Sequence, residues 1–151
     1  ANMKNVYLPE GVEAIETLGF FEIPLLENVY SYKSAAEVTE SHFVSQEALG
    51  QVYNSLPEGL EYIGSDAFSY NRELTYIYIP ANVTYIGHHA FWDTVFKEDG
   101  ELKGVTQICV AASEEEFESK LQLGENWKPK YDWLLFKKNV EILYGQQRQA
   151  K

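Results

Sequence analysis

Apolar residues recur along the chain in short alternating stretches, each followed by a fixed phrase. In "LTYIYIP", Leu74 to Pro80, Leu and Ile alternate with Thr and Tyr, which predicts a short strand with Ile77 and Ile79 turned inward. Pro80 ends it, because proline has no N–H to give to a ladder. The stretches "KNVYLP", "LENVYSY", "LGQVYNSLP" and "VTQICV" share the pattern, and the inward row reads Val6, Val29, Val52, Ile77 and Ile108. One such strand per coil predicts a parallel sheet along one side of the molecule.

Between the strands the chain repeats itself. "LPEGLEYIGSDAF" ends at Phe68 and "IPANVTYIGHHAF" at Phe91, 23 residues later. The opening "LPEGVEAIETLGF" matches the first of these at an offset of 48, and "SAAEVTESHF" is a worn copy carrying Val38 and Phe43. Phe20, Phe43, Phe68 and Phe91 are therefore spaced by 23, 25 and 23, and Ile15, Val38, Ile63 and Ile86 keep the same spacings. A fixed period in the twenties marks a solenoid. Each unit has too little apolar surface to fold alone, so the coils must stack, with the Phe and Ile rows as rungs of a shared core.

From Ala111 the period stops. Ser113 stands three before Glu116, a capping-box spacing, and Gly124 follows, so a helix of about ten residues is expected with Phe117 and Leu121 on one face. Glu114, Glu115 and Glu116 oppose the helix macrodipole there, with a Ca²⁺-holding cluster as the alternative. "YDWLLFKKNVEILYG" reads as two apolar segments around Lys137 to Asn139. The division is thus a solenoid over 1–110, a helix-plus-strand cap over 111–145 and a flexible, frayed tail, "QQRQAK", over 146–151. The insertion "KEDGELKG", residues 97–104, reads as a solvated loop or small hairpin and a second candidate contact.

Outward positions on the strands form two rows. One is Tyr7, Tyr30, Tyr53 and Tyr78, ending in Cys109; the other is Asn5, Asn28, Gln51, Tyr76 and Gln107. Tyrosine offers large contact area at low entropic cost, so the strip is a candidate binding face for a protein or glycan. The alternative is a stacking ladder that only stabilises the sheet.

Composition narrows the function. With 23 acidic against 12 basic residues the net charge is −11, which repels phosphate backbones, so nucleic acid is not an expected partner. No apolar run reaches the length of a membrane span, and no basic-then-apolar leader opens the chain. Cys109 is the lone cysteine, which rules out an internal disulfide; with no histidine brought beside it by the register, it reads as a packed thiol. His88 and His89 should point opposite ways on extended chain, and His42 falls in the slot of Ala90, so no metal site is expected. No Ser-His-Asp spacing, phosphate-binding Gly loop or dinucleotide fingerprint is present, so neither a cofactor nor catalytic residues are expected.

The two tight phrases resemble the BspA-type leucine-rich repeat, in which a strand ending in Ile-Pro precedes Val-x-x-Ile-Gly-x-x-Ala-Phe. The resemblance spans residues 5 to about 110. It departs at Glu16 and Thr39, which replace the Gly, and at Gly19 and His42, which replace the Ala. The Glu-rich helix, the following "NW" and a terminal strand are similar to C-terminal ends in that family. The resemblance implies a right-handed superhelix of about four 23–25-residue coils with a parallel sheet on one face. It also implies a bacterial cell-surface or secreted protein: a non-catalytic module for adhesion to a host or matrix protein or glycan, or else a structural spacer. With no N-terminal cap evident, the first strand edge is expected to be covered by further residues or by a second copy, through end-to-end or edge-strand self-association.

Overall fold

A computed structural model describes residues 4–33, 50–129 and 140–151. In chain order the first half contains β1 (Asn5–Pro9), β2 (Ala14–Ile15), β3 (Asn28–Lys33), β4 (Gln51–Asn54), β5 (Tyr62–Ile63), β6 (Ile77–Ile79) and β7 (Tyr85–Ile86). The second half contains β8 (Val95–Glu98), β9 (Glu101–Gly104), β10 (Gln107–Val110), α1 (Glu114–Lys120), β11 (Gln122–Leu123), β12 (Glu141–Leu143) and β13 (Gln149–Ala150).

The repeated Tyr-Ile-Gly phrase builds the rear of the molecule. Its strands form a parallel sheet in the order β11-β7-β5-β2, with Ile15 beside Ile63, Ile63 beside Ile86 and Ile86 beside Leu123. Beyond each strand the backbones stay bonded: Phe20 N–H reaches Ala67 O at 2.7 Å, Phe68 N–H reaches Ala90 O at 2.7 Å and Phe91 N–H reaches Trp127 O at 3.1 Å. The rings follow, Phe20 on Phe68 at 5.3 Å and Phe68 on Phe91 at 5.2 Å, both parallel-stacked. Trp127, Phe117 and Tyr144 continue this aromatic row into the C-terminal region.

The expected four-rung ladder is thus corrected at its second rung. Val38 and Phe43 lie outside the described residues, and Phe20 meets Phe68 directly, 48 positions on. The glycine of the phrase supplies the physical reason. A Cβ on Gly64 would fall 2.4 Å from Thr17 N, one on Gly87 2.5 Å from Ser65 N, and one on Gly124 2.3 Å from His88 N. A turn that stacks on another therefore needs glycine there. Glu16 is tolerated because β2 is the end strand of its sheet among the described residues. Thr39, which holds the slot in the worn copy, lies outside the described residues.

The strand side also departs from expectation. β1 and β3 are parallel with Val6 beside Val29, but β4 runs antiparallel to β3, with Tyr32 beside Val52. β6, β10 and β12 form a separate parallel sheet. Parallel neighbours require a crossover packed between them. In the rear stack the first phrase pairs directly with the third, Ile15 beside Ile63, while β4 meets β3 from the opposite direction. The inward row itself is as expected: Val29, Val52, Ile77 and Ile108 are buried and Val6 packs against the core.

Past Ala111, Ser113 accepts from Glu116 N–H at 3.2 Å and caps α1, whose Phe117 is buried. The helix spans 7 residues rather than the expected ten, because Gln122 and Leu123 are taken up as β11 against β7. The period therefore does not end at residue 110: Leu123-Gly124 repeats Ile86-Gly87, and Trp127 takes the place of Ala90. The insertion is a hairpin, β8 against β9, whose turn residues Asp99 (φ 50°) and Gly100 (φ 83°) are both left-handed, the geometry that suits the twist of a two-stranded ribbon.

Asn71 was not singled out by the sequence and joins two turns. Its side chain, fully buried, donates to Phe20 O and to Phe68 O and accepts from Ile23 N–H.

The glycine constraint is testable by urea unfolding. Gly87→Ala should cost about 3 kcal/mol, since the added Cβ meets backbone that cannot swing away. Gly11→Ala, where no atom lies within 4 Å, should stay within about 0.5 kcal/mol of the unaltered chain.

Candidate binding face

The two outward rows separate into two halves. On the β1–β3–β4 sheet, Tyr7 and Tyr30 stack at 5.2 Å, and Asn28 Nδ2 donates to Asn5 Oδ1 at 3.0 Å. This column stands where parallel pairing puts it, Asn5 beside Asn28 and Tyr7 beside Tyr30. Tyr53 joins the same sheet but pairs with Ser31, displaced from the column by the antiparallel register, and Gln51 is exposed beside it.

The other half is not an open strip. Tyr78 and Cys109, expected outward, are buried at 3% and 9% exposure. Tyr78 donates its hydroxyl to Gln146 O at 2.8 Å, so chain from the C-terminal region covers it. Burial pushes the Tyr78 phenol up, the Glu58 charge adds to the rise, and Arg148 opposes it. Tyr76 is half-buried and its phenol is pushed up to about 12, first by burial and then by Cys109 beside it. Gln107 is exposed, with its Nε2 3.4 Å from Glu141 Oε2.

Residues 146–151, read from the sequence as a frayed tail, carry β13 in the structure. β13 pairs antiparallel with β4, Ala150 beside Tyr53, and Lys151 N–H donates to Val52 O at 2.9 Å. The Lys151 ammonium sits 4.9 Å from the Tyr7 ring centre and 4.8 Å from that of Tyr30, and donates to the Tyr7 hydroxyl at 2.6 Å. The Arg148 guanidinium lies 3.6 Å over Tyr53. Its Nε reaches Glu58 Oε1 at 3.1 Å, and its Nη1 bonds Glu10 Oε1.

Glu10, Glu58 and Arg148 went unrecognised in the sequence, although a signal for the first two was present. Both glutamates sit in "LPEG", 48 residues apart, so stacking the first and third turns sets them side by side. Glu58 N–H donates to Glu10 Oε2 at 2.7 Å and fixes that carboxylate.

His88 and His89 correct the expectation of opposed side chains. Their rings stack at 3.7 Å, because His89 takes a left-handed backbone at φ 55°. His89 also stacks on Trp92 at 4.3 Å. Among the described residues no group of three or more His, Cys, Asp or Glu is placed to hold a metal ion. No described helix is long and apolar enough to cross a membrane. A second aromatic pair, Tyr62 on Tyr85 at 4.7 Å, stands on the rear sheet.

Stacked turns whose corner admits only glycine, with an Ile rung and an aromatic rung beside it, define a leucine-rich-repeat protein. The family description "BspA type Leucine rich repeat region" matches residues 1–108 in 6 copies, and the chain belongs to that family. No curated protein and no solved structure matches it.

The raised tyrosines predict an alkaline loss of stability. The folded chain holds the Tyr76 proton to about pH 12 against a reference of 10.0, so its contribution is complete below pH 10.0 and is lost as pH rises through about 12. Urea midpoints should fall across that window, and Tyr76→Phe should flatten the fall; an unchanged slope would show that the phenol does not contribute.

Proposed function

We propose that the chain is a non-catalytic protein-binding module whose contact surface is the Tyr7–Tyr30 column with Asn5 and Asn28. One observation carries the reading: this face already grips extended polypeptide, with a lysine ammonium set against two stacked tyrosines and a strand added at β4. Both are established ways of holding peptide, main-chain bonds for affinity and side-chain contacts for selection. Because the occupant is peptide, a protein partner is favoured over a glycan. The family supports placement on a bacterial surface or in a secreted protein, where such repeats occur, and adhesion is the role that fits that setting. On the same reading β1, the end strand of its sheet among the described residues, is covered by chain outside them or by a second copy.

A spacer without its own ligand is the second reading. The burial of Tyr78 and Cys109 favours it, since that half of the strip is packed rather than presented.

The test is surface-plasmon-resonance screening of the chain against matrix proteins and glycans. The Tyr7→Ser/Tyr30→Ser double variant should weaken binding to a protein hit by about 2–4 kcal/mol while melting cooperatively. Equal affinity in a folded double variant would leave the spacer reading.

A further inference from the structure

We propose that the cleft between Glu10, Glu58 and Tyr53 is an arginine-reading site, that Arg148 is its resident occupant, and that an arginine on an extended segment of a protein partner displaces it. The inference rests on the reading of this face as protein-binding and names what it selects.

The repeat itself builds the cleft. Stacking the two "LPEG" turns places the Glu10 and Glu58 carboxylates together, with Glu10 pinned by Glu58 N–H. Two adjacent carboxylates repel each other, and a cation between them relieves the repulsion. The cation present is a guanidinium that divides its nitrogens, Nε to Glu58 and Nη1 to Glu10, with its central carbon 3.6 Å from the Tyr53 ring centre. An ammonium is a point charge and lacks this fork, so the geometry selects arginine over lysine. One side of the site is shielded from water and the other is open: the Arg148 and Glu10 side chains are each 15% exposed, and that of Glu58 is 40% exposed.

Outside the cleft the Lys151 ammonium meets Tyr7 and Tyr30, and the remaining contact is made by backbone groups. Gln146 offers a carbonyl to Tyr78, and Gln149, Ala150 and Lys151 add to β4 through backbone groups. Gln146, Gln147, Gln149, Ala150 and Lys151 are all exposed, so no buried apolar side chain locks the tail in place. Arg148 is the one specific anchor of the segment inside the cleft, and another segment with an arginine at that position offers the same contacts.

The probe is a fluorescein-labelled peptide of residues 145–151, Gly-Gln-Gln-Arg-Gln-Ala-Lys, added to the full chain. In the unaltered chain the tethered tail competes at about millimolar effective concentration, so the peptide should bind at least about tenfold tighter to the Arg148→Ala chain. Lysine in place of the peptide arginine should weaken binding to Arg148→Ala about tenfold or more, and adding Glu10→Gln and Glu58→Gln to that chain should abolish it. Equal affinity for unaltered and Arg148→Ala chains, or for arginine and lysine peptides, would overturn the proposal. Should Arg148→Ala fail to fold, amide exchange in the unaltered chain decides. Excess arginine peptide should deprotect the Lys151 N–H, and no change from either peptide would leave Arg148 a structural clasp. Peptide binding that survives Tyr7→Ser/Tyr30→Ser but is lost on removing the two carboxylates upholds the cleft while retiring the column.

Discussion

Two backbones can exchange hydrogen bonds only when they approach to about 4.8 Å, and at one corner of each turn here nothing larger than hydrogen fits between them. Gly64, Gly87 and Gly124 each stand at that corner, against the backbone of the turn before. Once they permit the approach, the Ile rung and the aromatic rung fall into line without further specification. Ile63 and Ile86 are fully buried, as are Phe68 and Phe91, because each has an apolar or aromatic neighbour on both sides of its row. Phe20, at the end of its row, is only partly buried.

The same constraint separates what the sequence discloses from what it hides. The Ile and Phe rows were legible because identical side chains recur at fixed spacing, and the Ser113 cap because its chemistry is local. Thr39 and His42 were visible as departures from the phrase, but what they imply for neighbouring strands depends on a close approach that no residue type announces. The return of the period at Leu123-Gly124 was obscured because a helix lies between it and its partner at Ile86-Gly87, which stretches the offset to 37. The tail was least legible of all. "QQRQAK" has no apolar period, and its anchors lie 138 and 144 positions away in the chain, at Glu10 and Tyr7.

The candidate site is a by-product of repetition. A residue that is unremarkable in one turn becomes a row when turns stack, so single side chains turn into tyrosine columns, amide pairs and carboxylate pairs. Rows of tyrosine and amide stabilise themselves. A row of carboxylates does not, and at Glu10 over Glu58 stacking alone sets two like charges side by side. In the fourth turn the equivalent position is Ala81, which limits the paired charge to the first and third turns. The stack therefore places one cation-demanding point beside an aromatic surface and an available strand edge.

A tethered occupant changes what affinity means at such a point. A segment joined to its own seat acts at an effective concentration of about millimolar, so a ligand matching only the arginine must reach similar levels to compete. A macromolecule that also engages Tyr7 and Tyr30, where Lys151 now sits, gains a second contact that the tail loses on release. On the proposed reading the tail thus screens out stray basic peptides and yields to partners that fill the whole face. The discrimination comes from the number of contacts displaced together, with no rearrangement of the stacked core.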